Sequence, residues 1–508
     1  VDRLRGMYGF VIWDREKKKM FGARDIFGIK PFYYAQMNGS FLFGSEIKSF
    51  VEHPKFDKVF NEDALADYLS FQFVPTNETF FKGVFCLQPG HYFTYEDGKL
   101  EVTRYFEPNF TGDTDKSFDE VVDEIEKVMK ESVEMHKISD VEVGSYLSSG
   151  VDSSYMAYLG QVDRTFTVGF GEEKYSEIHD AKEFAKSIHM KNDSKIIEPD
   201  EYWDALSDIM YYREEPVADP AAIALYFLSK EAAKKVKVVL SGEGSDELFG
   251  GYNIYCEPLE YTGFNKVPLF IRRMLGAFAE NCMPRSMKGR GFLMRHGKTL
   301  EERYIGNAKI FTEKEAKKAI KKGFEPGCMK VTAPIYERVK GKDPVTKMQY
   351  LDIHLWLVHD ILMKGDKMGM ANSLEVRVPF LDKQVLELAQ TLPLQYKVDA
   401  PKTKIALRAA AERVIRSKTA EKKKLGFPIP IRVWLKEEKY YNRVKTQFSS
   451  KEAQQFFNVS YLLKLLEEHK AGKQDNSRKI WTVYIFLLWY DRYFANGKPI
   501  HPSMNNGQ

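Results

Sequence analysis

Residues Tyr146-Leu147-Ser148-Ser149-Gly150-Val151-Asp152-Ser153-Ser154 join the end of an apolar strand to the start of a helix through small polar side chains. That junction narrows the choice of fold more than any other stretch. A strand feeding directly into a helix belongs to a strand–helix–strand unit, and such units stack into a parallel sheet. The flanking pattern agrees. Val141 to Leu147 reads as a strand, Ser153 to Leu159 opens a helix, and Thr165 to Phe170 is the next strand. A helix near 178–189, a short strand around Lys195-Ile196-Ile197, a helix from about 201 and a strand at Val236 to Leu240 continue the rhythm. The expected class is α/β, a parallel sheet with helices on both faces.

The same junction carries chemistry. A helix N-terminus presents free backbone N–H groups and partial positive charge, so it favours an anion. Ser148, Ser149 and Ser153 add hydroxyl donors, and Gly150 lets the backbone approach closely. No Gly-Lys-Ser/Thr follows, so this is not a Walker A loop. Serines and an Asp without a Lys suit a pyrophosphate leaving group, with Asp152 holding Mg²⁺ through oxygen. That points to attack at the α-phosphate and an adenylate product. The plainer reading is a serine-rich N-cap, because Ser and Asp cap helices routinely.

A second loop, Leu240-Ser241-Gly242-Glu243-Gly244-Ser245-Asp246-Glu247-Leu248-Phe249-Gly250-Gly251-Tyr252, also leaves a buried strand. Its three carboxylates repel one another unless a cation or donors compensate. Asp246 is the natural second Mg²⁺ ligand, and Glu243 is placed to act on a substrate amine. An acidic surface loop would not explain the bracketing glycines.

Residues 1 to about 110 differ in kind. Short apolar runs such as Gly9 to Trp13, Pro31 to Ala35 and Gly90 to Tyr95, the last before a turn at Asp97-Gly98, read as β structure. Asn109 to Lys116 reads as a polar, flexible linker, and from Phe118 the apolar spacing becomes helical. Residues 253–340 are helical and basic and look like an insertion; the rest is mostly helical. The stripe from Leu351 to Met363 reads as core, with Asp360 and Asp366 its wet face or fixing partners. With 76 basic and 72 acidic side chains the chain argues for no nucleic-acid partner. Four cysteines, none in a CxxC pair, suit a reducing cytoplasm, and no run is apolar enough to span a membrane.

At its two loops the chain resembles the PP-loop ATP pyrophosphatases, and within them the asparagine synthetase family. The first loop has Ser149 where that family usually has a glycine. Lys367 to Asp382 resembles the family's C-terminal signature, with Lys367 where Arg is common. Lys424-Leu425-Gly426-Phe427-Pro428 resembles the region supplying an active-site lysine, and Gly22 to Tyr33 the end of a glutamine pocket. The resemblance implies a β-rich, N-terminal-nucleophile type glutaminase domain over 1–111 and an ATP-binding synthetase domain over 118–508. It implies that Leu147 and Val168 line an adenine site with Ser241 and Gly242 nearby, and that Ser148, Gly150 and Ser153 hold pyrophosphate, with Ser149 counted in the ATP loop. It gives Asp152 and Asp246 to Mg²⁺, adenylate formation or aminolysis to Glu243, and charge on the phosphate to Lys424. Asp25 would bind the α-amino group of glutamine. Glu375 to Arg377 reads equally as scaffolding. The implied substrates are L-aspartate, ATP and glutamine or ammonia, and the implied assembly is a homodimer.

The family's N-terminal cysteine nucleophile has no counterpart near Val1, and Cys86 reads as a small core residue. The chain is therefore expected to be truncated at its front, and as it stands to lack glutaminase activity while still using free ammonia. Alternatives are a related adenylating ligase acting on another carboxylate, such as a peptide or a β-lactam precursor, and a non-catalytic nucleotide-binding regulator. The β-lactam formers carry Tyr where Glu243 stands. A regulator would be expected to lack Asp152, Asp246 or Lys424. A stand-alone N-terminal nucleophile hydrolase would leave most of the chain unexplained.

Overall fold

The computed structural model describes residues 1–260, 262–284, 287–321, 323–421 and 429–495. The apolar runs of the first 110 residues become β1 (Gly9–Asp14), β2 (Lys19–Arg24), β3 (Tyr33–Met37), β4 (Ser40–Gly44), β5 (Val84–Cys86), β6 (His91–Glu96) and β7 (Lys99–Arg104). They form an antiparallel four-stranded sheet in the order β1-β2-β6-β7 and a three-stranded sheet in the order β4-β3-β5. Asp97 and Gly98 both take positive φ at the β6–β7 turn, as a two-residue hairpin demands. The sheets meet through aromatic rings, with Phe41 stacked on Tyr95 at 4.5 Å.

The predicted parallel sheet contains β8 (Val143–Tyr146), β9 (Arg164–Phe170), β10 (Lys191–Ile197), β11 (Val238–Leu240) and β12 (Glu375–Arg377). Every pairing is parallel, in the order β10-β9-β8-β11-β12. The chain winds outward from β8 to β10 and then returns to the other side at β11. Open α/β sheets bind ligands at such a reversal, beyond the carboxyl ends of the strands. Tyr146 and Leu240 end the two strands at this point, so the two loops singled out by sequence lie side by side. Glu375 to Arg377 is the edge strand, and Arg377 braces it by donating to the carbonyls of His136 and Ile138. That placement is scaffolding.

The described residues between 253 and 338 are mostly helical, as expected. The stripe from Leu351 is core, but it is not one regular helix. A π-helical turn at Leu357–Leu362 separates Pro344–His354 from Met363–Met370, and it carries Asp360 fully inside. Asp360 is a fixing partner, and Asp366 pairs with Lys30 at 3.0 Å. The linker at 109–116 is docked instead of free. Amides of Thr111 and Gly112 donate to Gln390 O and that of Thr114 to Thr391 O, satisfying carbonyls that the last turn of Lys383–Thr391 leaves unpaired.

The helix Ser477–Tyr493 lies across the N-terminal part. Its Trp489 ring sits 5.1 Å from Phe80, its Phe486 ring 5.9 Å from Phe60, and Thr482 O accepts from the Tyr68 hydroxyl at 2.9 Å. Among the described residues no helix is long and apolar enough to cross a membrane.

Candidate functional site

A cavity of about 520 Å³ opens at the switch point. Its walls include Leu147, Ser148, Gly150, Asp152, Ser153 and Val168 from the first half of the sheet, and Ser241, Gly242, Glu243 and Asp246 from β11 onward. Gly150 is the N-cap of the helix Val151–Gly160, and no side chain caps it. The serines bond elsewhere: Ser153 Oγ accepts from Ser148 N at 3.1 Å and meets Ser148 Oγ at 2.8 Å. First-turn N–H groups are thus left to face the cavity, which favours the anion cradle over the serine cap. Ser149 alone turns away. It does not line the cavity, and its hydroxyl donates to Glu177 at 2.5 Å.

Beside the cradle, Asp152 and Asp246 converge. Lys404 Nζ lies 2.7 and 2.6 Å from the two Asp152 oxygens and 2.8 Å from Asp246 Oδ1, and Ser245 Oγ donates to Asp152 at 2.9 Å. The ammonium marks the point where both carboxylates can share a cation, so the donor set fits a hard divalent ion bound through oxygen. Gly251 makes this approach possible: a Cβ there would come within 1.9 Å of Lys404 Cε and 2.0 Å of Asp246 Oδ1.

Glu243 leads to a second, charged end of the cavity. Gly365 lies so close that an added Cβ would meet Glu243 Oε2 at 2.9 Å. The neighbouring Lys364 donates to Asp219 at 2.5 Å and to Asp360 at 3.2 Å. Lys364, Asp219, Trp356 and Arg478 line this end. Burial opposes the charge on Asp219, yet Lys364 and Arg478 outweigh it and hold the carboxyl well below the usual range. Asp360, deeper in, is pushed by burial up to about 6. Burial likewise opposes the Lys364 charge, and the two carboxylates raise its pKa above the ordinary value.

A family model described as asparagine synthase matches residues 124–491, and one described as a glutamine amidotransferase domain matches residues 1–106. The chain belongs to the asparagine synthase family. It is 44% identical over 495 residues to the glutamine-hydrolysing asparagine synthetase 1 of Bacillus subtilis, covering 96% of this chain and 78% of that protein. It is 42% identical over 506 residues to a putative glutamine-hydrolysing asparagine synthetase of Mycobacterium tuberculosis, covering 96% and 77%. The amidase chry2 of Gibberella zeae is more distant, 27% identical over 78% of this chain and 64% of that protein.

Lys424 lies outside the described residues. Asp25, expected at a glutamine pocket, lies apart from this cavity. Asp25 is fully buried, and its oxygens accept from the amides of Tyr8, Phe27, Ile29 and Lys30. It staples the loop after β2. Burial nevertheless pushes its carboxyl above the usual range, against the amides of Ile29, Lys30 and Tyr8 and the charge of Arg24. Lys367, from the family signature, is buried between the two parts of this synthase-family chain, paired with Glu214 and 3.9 Å from Glu46. Cys86 is buried, as expected.

Sequence reasoning missed Lys404, Lys364, Asp219 and Arg478. Lys404 did leave a local signal. It is the N-cap of Ile405–Glu412 with φ +54°, and a cation at a helix N-terminus is electrostatically unfavourable without carboxylates nearby. The other three carry no local signal.

Proposed function

We propose that this chain amidates L-aspartate to L-asparagine, using ATP and releasing AMP and pyrophosphate, with nitrogen from glutamine or from free ammonia. The observation that carries this reading is the convergence of an uncapped helix N-terminus, the Asp152–Lys404–Asp246 cluster and Glu243 in one cavity. Leu147 and Val168 offer apolar cover for adenine, and Ser241 and Gly242 lie beside them in the wall. The first-turn amides of Val151–Gly160, with Ser148 and Ser153, take the β- and γ-phosphates. Ser149, turned to Glu177, acts by shaping the loop.

Asp152 and Asp246 would hold Mg²⁺, which supplies neutralising charge on the phosphates when bound. Lys404 offers its ammonium to the same oxygens. The side-chain carboxylate of aspartate attacks the α-phosphorus, and the bond to pyrophosphate breaks. Ammonia then attacks the β-carbonyl, Glu243 accepts the proton that nitrogen loses, and AMP leaves. The family resemblance gives Lys424 a share of the phosphate charge in both halves.

On this reading residues 1–111 are the amidotransferase part and 118–508 the synthetase part, with an insertion at 253–340. Asp25 serves the glutamine pocket by holding its loop. Four free cysteines support a cytoplasmic setting, and the resemblance supports a homodimer, which light scattering would test. The deciding assay supplies ATP, Mg²⁺, L-aspartate and ammonium and measures asparagine, AMP and pyrophosphate. Aspartate-dependent pyrophosphate release accompanied by asparagine, with asparagine formation abolished by both Glu243→Ala and Lys424→Ala, is the expected result. Release of ADP instead would sink the reading.

A further inference from the structure

Gln72 ends the helix Ala64–Phe71 in the left-handed region, φ +61°, and none of its surface reaches solvent. The backbone there favours glycine. What glutamine adds is its amide. Nε2 donates to Asp360 Oδ2 at 2.5 Å, and Oε1 accepts from Arg478. The Gln72 carbonyl also accepts from the amide of Ala218, next to Asp219. One residue of the amidotransferase part therefore touches the three segments that build the charged end of the cavity.

That end is dense in charge. Three cations, Arg213, Lys364 and Arg478, meet three carboxylates, Asp219, Asp360 and Glu243. Arg213 is 3% exposed, and its two terminal nitrogens have no hydrogen-bond acceptor among the described residues. Buried guanidinium donors without an acceptor are costly, which favours the arrival of an anion. An acidic amino acid whose side-chain carboxylate reaches the α-phosphate still presents an α-carboxylate and an α-ammonium. Arg478 and Lys364 match the first in sign, and Asp219 matches the second.

We propose that Gln72 is a positioning residue for the acid substrate. It fixes Arg478 directly and Lys364 and Asp219 through Asp360, so the subsite for the α-carboxylate and α-ammonium is completed by the amidotransferase part. This rests on reading the cavity as the site of ATP and aspartate.

The test uses the full chain with free ammonium and measures pyrophosphate release against aspartate and against ATP separately, with a thermal melt of each variant. Wild-type release that does not depend on aspartate would overturn the underlying reading, and this inference with it. With that dependence in hand, Gln72→Gly is expected to raise KM for aspartate about tenfold or more while KM for ATP moves less than about twofold. Glycine suits the backbone, so this variant should melt no lower than Gln72→Ala. Gln72→Glu keeps an acceptor for Arg478 and loses the donor to Asp360, so its KM for aspartate should fall between wild type and Gln72→Gly. An unchanged KM for aspartate in a folded Gln72→Gly, or equal rises in both KM values, would overturn the proposal. If Gln72→Gly does not fold, Gln72→Glu decides it by the same split between the two KM values.

Discussion

The two ends of the cavity are built by opposite means. The nucleotide end comes from two contiguous loops, 147–153 and 241–246, and its donors are mostly backbone amides fixed by the β8 and β11 junctions. The charged end comes from Gln72, Asp219, Lys364 and Arg478, long side chains on four segments far apart in sequence. Backbone donors need no further ordering once the sheet has formed. These side chains lose rotamer freedom and keep their places through mutual ion pairs and hydrogen bonds. Phosphate recognition is therefore local and rigid here, whereas acid recognition depends on how the whole chain has packed.

This contrast can be broken at three points. The largest effect is expected at Asp246→Asn, which removes one of two charges converging near the phosphates. Turnover at saturating substrate should fall about 10²–10³-fold with little change in KM for aspartate. A rise in that KM instead would place Asp246 with the acid. Gly365→Ala probes the junction between the ends. Alanine favours the helix Met363–Met370 by up to about 1 kcal/mol, but its Cβ would displace the Glu243 carboxylate. Turnover should drop roughly tenfold, as for a misplaced general base, while the melting temperature holds or rises. A fall in both would mean that the helix itself is disturbed.

The smallest effect concerns pH. His359, beside Asp360, stacks on Phe73 at 5.7 Å, and burial pushes its pKa down to about 4 from 6.5. Below pH 6.5 the unfolded chain takes up a proton that the folded one refuses. This group therefore makes stability fall as pH drops from about 6.5 to about 4, by about 3 kcal/mol in all. His359→Phe should flatten that part of the profile in denaturant melts at pH 7 and 5. An identical profile would show that His359 titrates equally in both states.

Legibility in the sequence followed the same division. Strands β8 to β11 announced themselves because alternation and small-residue junctions are local signals. Their neighbour order is a pairing property and left no trace, so the side-by-side placement of the two loops came only with the fold. The stripe from Leu351 to Met363 was readable as core, but the π-helical turn that carries Asp360 inward was not. Lys404 stood in plain view at a helix N-terminus, where its unfavourable position was the clue. Gln72 and Arg478 had no such clue, since each matters only through the other. The linker at 109–116 looked polar and free because nothing in its own residues tells that helix carbonyls at Gln390 and Thr391 await it.

The helix Ser477–Tyr493 has a consequence in time. The hydroxyl of Tyr68 and the carbonyl of Thr482 that it bonds are 414 residues apart. At a synthesis rate of about 5–20 residues per second, roughly 20–80 seconds separate their emergence from the ribosome. Throughout that interval Phe60, Phe80 and Phe81 wait without the aromatic face that covers them in the finished molecule. The amidotransferase part is made early and finished late, and its nascent form carries uncovered aromatic surface until the far end of the chain arrives.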